Sequence, residues 1–166
     1  MTRTMQLREG TAKPEGQTLP VRGFIFACTE KSESESLDGL LFATERLYGP
    51  IVIRIRIGDL LFLNNLDTNV LHGVFKAVSD GGFRMSPDAF GGRYPYQVRV
   101  EPVRETLSLN NAKKILNKLE VKRNTPLFGE KLVHLLDAFV QETPLLLTER
   151  RGTTRIAKNL YYCPIC

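Results

Sequence analysis

Short apolar runs separated by turn-forming residues are the feature that most restricts the fold of this 166-residue chain. Each run is too short for a buried helix, and glycine, proline or asparagine residues lie between them, as is typical of strands. The runs are Gly23–Cys28, Ile51–Ile57, Leu60–Leu63, Leu71–Val78 and Gln97–Val100. Alternation in the second run predicts that Arg54 and Arg56 share one strand face. Asparagines and an aspartate between the third and fourth runs predict a hairpin turn.

Three other segments have helical periodicity. The first begins with serines and glutamates near Ser32, which suit a helix start, and its leucine face fades near Thr44. The second and third cover 109–119 and 128–140, each with leucines on one face, and Pro144 ends the last. One helix after the first strand and two near the end predict an α+β domain. Its curved, largely antiparallel sheet is flanked by helices.

The net charge of +5 is unevenly distributed. Residues 23–103 are slightly acidic, whereas 104–123 and 144–166 are basic. Clustered positive charge suits attraction to phosphates, although surface lysines also simply keep a protein soluble. The sequence has no apolar stretch of membrane-spanning length and no apolar signal-peptide core, which predicts a cytoplasmic protein. An odd number of cysteines, three, argues against a disulfide framework.

A series of motifs in the middle of the chain resembles the Development and Cell Death (DCD) domain family. The matching stretches, in order, are Gly23–Cys28, Leu41-Phe42, Gly58–Asn64, Leu71–Ser79, Ser86–Phe90 and Tyr94–Val100. The resemblance implies a domain over 21–143. Composition predicts a flexible basic arm over 1–20 and a basic tail over 144–166 that ends in Cys-x-x-Cys. It also implies a PUA-like fold, a curved antiparallel β-barrel flanked by helices and related to EVE and YTH modules. Those relatives bind RNA or modified bases without catalysis.

The resemblance also indicates where a ligand would bind. In PUA-like relatives the cleft opens where the first strand ends and the first helix begins, which here places Cys28, Thr29 and Phe42 beside Asn64. Phe42 would offer a stacking face and Asn64 a hydrogen bond, although Phe42 is also a candidate for the core. YTH readers enclose a methylated base with tryptophans. This chain has no tryptophan, so a reader of that type is not expected.

Three other groups of residues are candidates for binding. His72 lies within the family motif and has either a ligand-contacting or a structural role. Asparagines in the hairpin turn suit base contacts or a plain turn, the latter favoured except at Asn64. A glycine-rich loop interleaves basic and aromatic side chains, which either contact single-stranded nucleic acid or pin the loop to the barrel. These loop residues are Arg84, Phe90, Arg93 and Tyr94.

Basic residues near the C-terminus would supply phosphate contacts. They are Lys113, Lys114 and Lys118 on a helix, and Arg150, Arg151 and Arg155 in the tail. Cys163 and Cys166 form half of a zinc knuckle, so either a zinc site shared across a dimer or an unmetallated chain end is consistent with them. No catalytic motif is visible. We therefore predict a non-catalytic RNA-binding protein, with a protein-interaction adaptor, docking onto a larger complex, as the alternative.

Overall fold

A computed structural model describes residues 21–122 and 125–142. Six strands occur in it: β1 Gly23–Cys28, β2 Leu41–Thr44, β3 Leu60–Asn65, β4 Val70–Ala77, β5 Gly82–Phe83 and β6 Tyr96–Asn110. The helices are α1 Glu30–Gly39, α2 Gly49–Val52, α3 Ala112–Lys118 and α4 Glu130–Glu142, with short 3-10 turns at Arg46–Tyr48 and Ala89–Gly92. None of the described helices is long and apolar enough to cross a membrane.

The strands form one curved, nearly closed sheet. Their order is β1-β3-β4-β6-β2, with β5 beside β6. Only β1 and β3 pair in parallel, from Gly23 opposite Leu60 onwards, and the other pairs are antiparallel. The two ends of the sheet approach each other, since the rings of Phe26 in β1 and Phe42 in β2 lie 5.8 Å apart. The predicted barrel flanked by helices is confirmed, and the parallel pair makes it a mixed sheet.

Apolar side chains fill both faces of the central strands. Inside the barrel, Phe42 contacts Phe26 and also Phe75 of β4, with the two ring centroids 5.0 Å apart. On the outer face, Phe62 of β3 stacks on Phe139 of α4 at 5.7 Å. Gly73 leaves space for that ring pair, because a Cβ there would lie 2.8 Å from Phe62. Helix α4 supplies one side of this outer core, and the predicted last helix is confirmed.

The predicted strand over Ile51–Ile57 is wrong. The segment begins as helix α2, with Pro50 at a favourable position in the first turn, and continues as a turn. Bonds from the Ile53 N–H to the Gly49 carbonyl and from the Ile55 N–H to the Val52 carbonyl, at 3.0 and 2.9 Å, hold this compact form. Arg54 and Arg56 therefore do not share a strand face. Burial of Ile55 and the local turn outweigh the strand preference of the alternating isoleucines.

Two predicted helices have different limits in the structure. Helix α1 begins one residue after Thr29, whose N–H donates to the Ser32 hydroxyl, and ends at Gly39. Leu40 then takes a left-handed conformation, so Leu41–Thr44 is strand β2 and not the end of the helix. In the second case, strand β6 continues to Asn110, where a helix from Leu109 was predicted. Leu109 is buried opposite Leu71 of β4, and this pairing outweighs its place in a helical pattern.

Candidate nucleic-acid interface

A groove of about 510 Å³ lies beside strand β1. One wall comes from β1, from Thr44 at the end of β2 and from Tyr48 in the following 3-10 turn. The other comes from the end of β3, the hairpin turn and helix α3. Two residues predicted to bind RNA, Asn64 and Lys113, both line it. The groove therefore unites a predicted base-contacting amide with a predicted phosphate-contacting amine.

Asn69 in the hairpin turn holds the start of helix α3, and with it Lys113, against the turn. Its side-chain oxygen accepts a hydrogen bond from the Lys113 N–H at 2.8 Å, and its carbonyl accepts one from the Ala112 N–H at 3.0 Å. Asn69 has a φ of 62°, a left-handed conformation that asparagine tolerates better than most residues. The turn and the first turn of α3 are thus fixed to each other.

Asn64 differs from the other turn asparagines. The Asn65 side-chain oxygen accepts hydrogen bonds from the Asp67 and Thr68 N–H groups at 2.9 and 3.1 Å, so Asn65 stabilises the turn itself. The Asn64 side-chain oxygen is buried without a partner in the described part of the chain. Leaving such an acceptor unpaired costs about 1–3 kcal/mol. Because this oxygen has almost no exposed surface, the Asn64 side chain would have to rotate toward the groove before a ligand N–H could reach it.

The groove combines apolar walls with a positive rim. Ile25, Leu116 and Val121 contribute apolar surface, while Lys113 and Lys122 are exposed. Neither lysine forms an ion pair within residues 21–122 and 125–142. Apolar surface suits the face of a base, and amines without carboxylate partners suit phosphate. Lys114 and Lys118 are also exposed on α3, as predicted, but do not line the groove.

The predicted cleft at the end of β1 does not form around Phe42. This ring is fully buried inside the barrel, so no face is open to a base. Cys28 is also buried, and Thr29 caps helix α1. Burial, with the nearby Glu33 and Asp67 carboxylates, raises the pKa of the Cys28 thiol to about 12. The thiol is therefore neutral at physiological pH, and of the four predicted cleft residues only Asn64 lines the groove.

His72 occupies a hydrogen-bonded position between three elements. Its Nδ1 lies 2.9 Å from the Ser108 hydroxyl of β6, and its Nε2 lies 2.5 Å from the Glu33 carboxylate of α1. Both ring nitrogens are thus engaged within the fold. This geometry favours the structural role of His72 over ligand contact, because no ring nitrogen remains for a ligand.

The Glu33 carboxylate is held in its charged form. Burial acts to raise its pKa, but Asn65, His72 and the charge on His72 outweigh burial, so the pKa lies below its ordinary value. A charged Glu33 keeps α1 attached to β4 through His72 at neutral pH.

The glycine-rich loop is pinned to the barrel by one of its aromatic residues. Phe90 is buried against Leu41 and Ala43, and its N–H donates to the Glu35 carboxylate at 2.7 Å. Of the two predicted roles, the structure therefore gives Phe90 the attachment of the loop to the barrel and not contact with nucleic acid. The guanidiniums of Arg93 and Arg84 lie over neighbouring rings at the surface, 5.5 Å from Tyr94 and 5.4 Å from Phe83.

Several predicted residues lie outside the part of the chain that the structure describes. They are Arg150, Arg151, Arg155, Cys163 and Cys166. The zinc site therefore stays a prediction, and so do the domain limits 1–20, 21–143 and 144–166. Within the described ranges, no three histidine, cysteine, aspartate or glutamate side chains are grouped to hold a metal.

Comparison with known proteins assigns the chain to a family. The model of the Development and cell death domain matches residues 22–132, and the chain belongs to that family. The B2 protein of Daucus carota is 34% identical over 144 residues, 76% of this chain and 68% of the relative. The DCD domain-containing protein NRP-B of Glycine max is 32% identical over 147 residues, 78% of this chain. This chain spans 43% of NRP-B, so it matches less than half of that protein.

Solved structures with the same fold are YTH domains. A complex of the YTH domain-containing protein mmi1 with RNA superposes with a TM-score of 0.60 at 12% identity, over 82% of this chain and 92% of the other. The Pho92 YTH domain in complex with m6A gives a TM-score of 0.55 at 14% identity, over 76% and 88%. At such identities the likeness establishes the fold alone. The expected relation between the DCD and YTH folds is confirmed.

Proposed function

We propose that this protein binds single-stranded RNA, without catalysis, in the groove beside β1. The observation that carries this proposal is the groove itself: apolar walls, a buried unpaired acceptor on Asn64 and two lysines without ion-pair partners in the described residues. A base would enter between the apolar walls and donate a hydrogen bond to the Asn64 oxygen once that side chain rotates toward the groove. Lys113 and Lys122 would contact the flanking phosphates. The YTH fold supports this proposal, since the mmi1 structure is a complex with RNA and the Pho92 structure is a complex with m6A.

The groove lysines, Lys113 and Lys122, should be more important for RNA binding than the lysines of α3 that lie outside the groove. We expect the double variant Lys113→Glu, Lys122→Glu to weaken binding of a fluorescein-labelled single-stranded RNA of random sequence at least about tenfold, because each charge-assisted hydrogen bond contributes roughly 1.5–3 kcal/mol. The slope of log affinity against log salt should also flatten by about 0.7 for each lost phosphate contact. Fluorescence anisotropy over a salt series measures both quantities.

The matched control is Lys114→Glu, Lys118→Glu, which makes the same charge change on α3 away from the groove. It should weaken binding less than the groove variant does. Equal losses would show that a diffuse basic helix binds RNA and the groove does not. RNA binding that is absent, or unaffected by salt, would leave the protein-interaction adaptor as the better function, because burial of apolar surface depends little on salt of this kind.

A further inference from the structure

Phe83 is an exposed aromatic residue between two arginines. Its side chain is 47% exposed, although it lies in strand β5 beside β6. The guanidinium carbons of Arg46 and Arg84 lie 5.6 and 5.4 Å from the ring centroid. The Tyr96 ring meets Phe83 at 5.2 Å with an interplanar angle of 62°. An aromatic ring, two guanidiniums and a supporting tyrosine thus form one surface, which we call the Phe83 platform.

The backbone fixes the platform. Arg84 has a φ of 53°, a left-handed conformation that disfavours side chains other than glycine and asparagine. A hydrogen bond of 2.6 Å from its N–H to the Pro95 carbonyl ties it to the chain before β6. Gly49 lies against the supporting ring, because a Cβ there would be 2.5 Å from Tyr96. The first residue of α2 therefore packs on Tyr96, whose ring in turn contacts Phe83.

The charge of the platform is uncompensated. The ion pairs formed within the described ranges involve Arg22, His72 and Lys76, and neither Arg46 nor Arg84 takes part. Arg46 follows Glu45 in sequence, but no ion pair joins the two side chains. Guanidiniums held over an exposed ring offer stacking planes as well as charge. Bases stack on such planes and phosphates bind such charges, so the complementary partner is unpaired nucleic acid.

The platform is continuous with the groove along the chain. Thr44 and Tyr48 line the groove, and Arg46 of the platform lies between them in the 3-10 turn. A single-stranded RNA that leaves the groove beside Tyr48 would therefore meet Arg46, because both residues belong to the same 3-10 turn of the protein. This arrangement suits a single strand whose successive bases use both places.

We infer that the Phe83 platform is a second subsite, at which an unpaired base of a bound single strand stacks on Phe83 or on an adjoining guanidinium. The inference rests on the proposed function and adds to it that the ligand is unpaired at this position. Nothing in the sequence motifs of the family marks Phe83. Its role follows from its exposure and from the two guanidiniums that the fold places over it.

The test is Phe83→Ala, measured by anisotropy with a short labelled oligouridylate. We expect binding to weaken roughly 5- to 100-fold, the effect of losing one stacked base, with little change in melting temperature. Phe83→Tyr keeps a ring and should restore affinity. Leu47→Ala is the matched control. Leu47 is 73% exposed, lies next to Arg46 in the 3-10 turn Arg46–Tyr48, and has no aromatic ring. It should bind like the unmodified protein.

An abasic oligonucleotide of equal length separates stacking from phosphate contact. Phe83→Ala should make no difference to its binding if the ring stacks on bases. Equal losses for the abasic and the normal strand would overturn the stacking subsite. So would unchanged binding of Phe83→Ala alongside a strong loss in Lys113→Glu, Lys122→Glu, an outcome that leaves the proposed function intact. Failure of the unmodified protein to bind either strand would overturn the proposed function and the subsite together.

Discussion

Phe42→Ala is expected to lower the free energy of unfolding by about 3–5 kcal/mol, the usual cost of removing a buried aromatic ring. Phe42 is fully buried inside the barrel and contacts both Phe26 and Phe75. These contacts link β1, β2 and β4, so the cavity left by alanine would loosen the place where the sheet closes. Urea unfolding followed by far-ultraviolet circular dichroism measures this change.

Asn64→Ala is the informative companion to this variant. The side-chain oxygen of Asn64 has no hydrogen-bond partner in the described residues, so the Asn64→Ala variant should lose little stability. The same substitution should weaken RNA binding if the groove accepts a base. A Phe42→Ala protein of unchanged stability that loses RNA affinity would contradict the structure, because it would place Phe42 in an open cleft.

Asp59→Ala is expected to cost about 3 kcal/mol, the lower end of the range for breaking a buried ion pair. The Asp59 carboxylate pairs with Arg22 at 2.8 Å and accepts a hydrogen bond from the Arg56 N–H at 2.8 Å. It therefore joins the start of β1 to the turn before β3. The lower end applies because Arg22 keeps a second bond, to the Arg54 carbonyl, and remains 26% exposed.

Glu101→Ala is the matched control for Asp59→Ala. Glu101 pairs with Lys76 at 3.4 Å between two side chains that are both about half exposed. Exposed pairs contribute about 0–1 kcal/mol, so this variant should unfold at nearly the same urea concentration as the unmodified protein. Similar losses for both variants would show that Asp59 does not anchor the turn.

The sequence predicts a locally paired hairpin more accurately than segments whose structure depends on contacts far along the chain. Leu60–Leu63 and Leu71–Val78 form the expected hairpin, because short apolar runs and a turn rich in asparagine specify local pairing. The alternating isoleucines of Ile51–Ile57 mislead, because only Ile55 is fully buried, Ile53 and Ile57 are exposed, and local hydrogen bonds hold the segment as a helical turn. The end of α1 is predicted too late in the chain, because Leu41–Thr44 forms β2 through its pairing with β6, which lies far along the sequence.

The site is only partly predictable from the sequence. Asn64 and Lys113 are 49 positions apart, and each is a candidate on residue type alone. Both line one groove, and the hydrogen bonds from Asn69 that attach α3 to the hairpin turn follow from no sequence pattern. Phe83 is missed, although a single aromatic between Gly82 and Arg84 is a weak signal for an exposed ring. The family motifs mark core residues such as Phe42 as readily as binding residues.

Crosslinking tests the central claim, RNA binding in the groove, most directly. Single-stranded RNA containing 4-thiouridine is bound to the full-length protein, irradiated and digested, and the crosslinked peptides are identified by mass spectrometry. The groove predicts crosslinks in the peptides that contain Asn64, Lys113 and Lys122. Crosslinks confined to residues 1–20 and 144–166, with none beside β1, would contradict it and would make the basic ends of the chain the RNA-binding part.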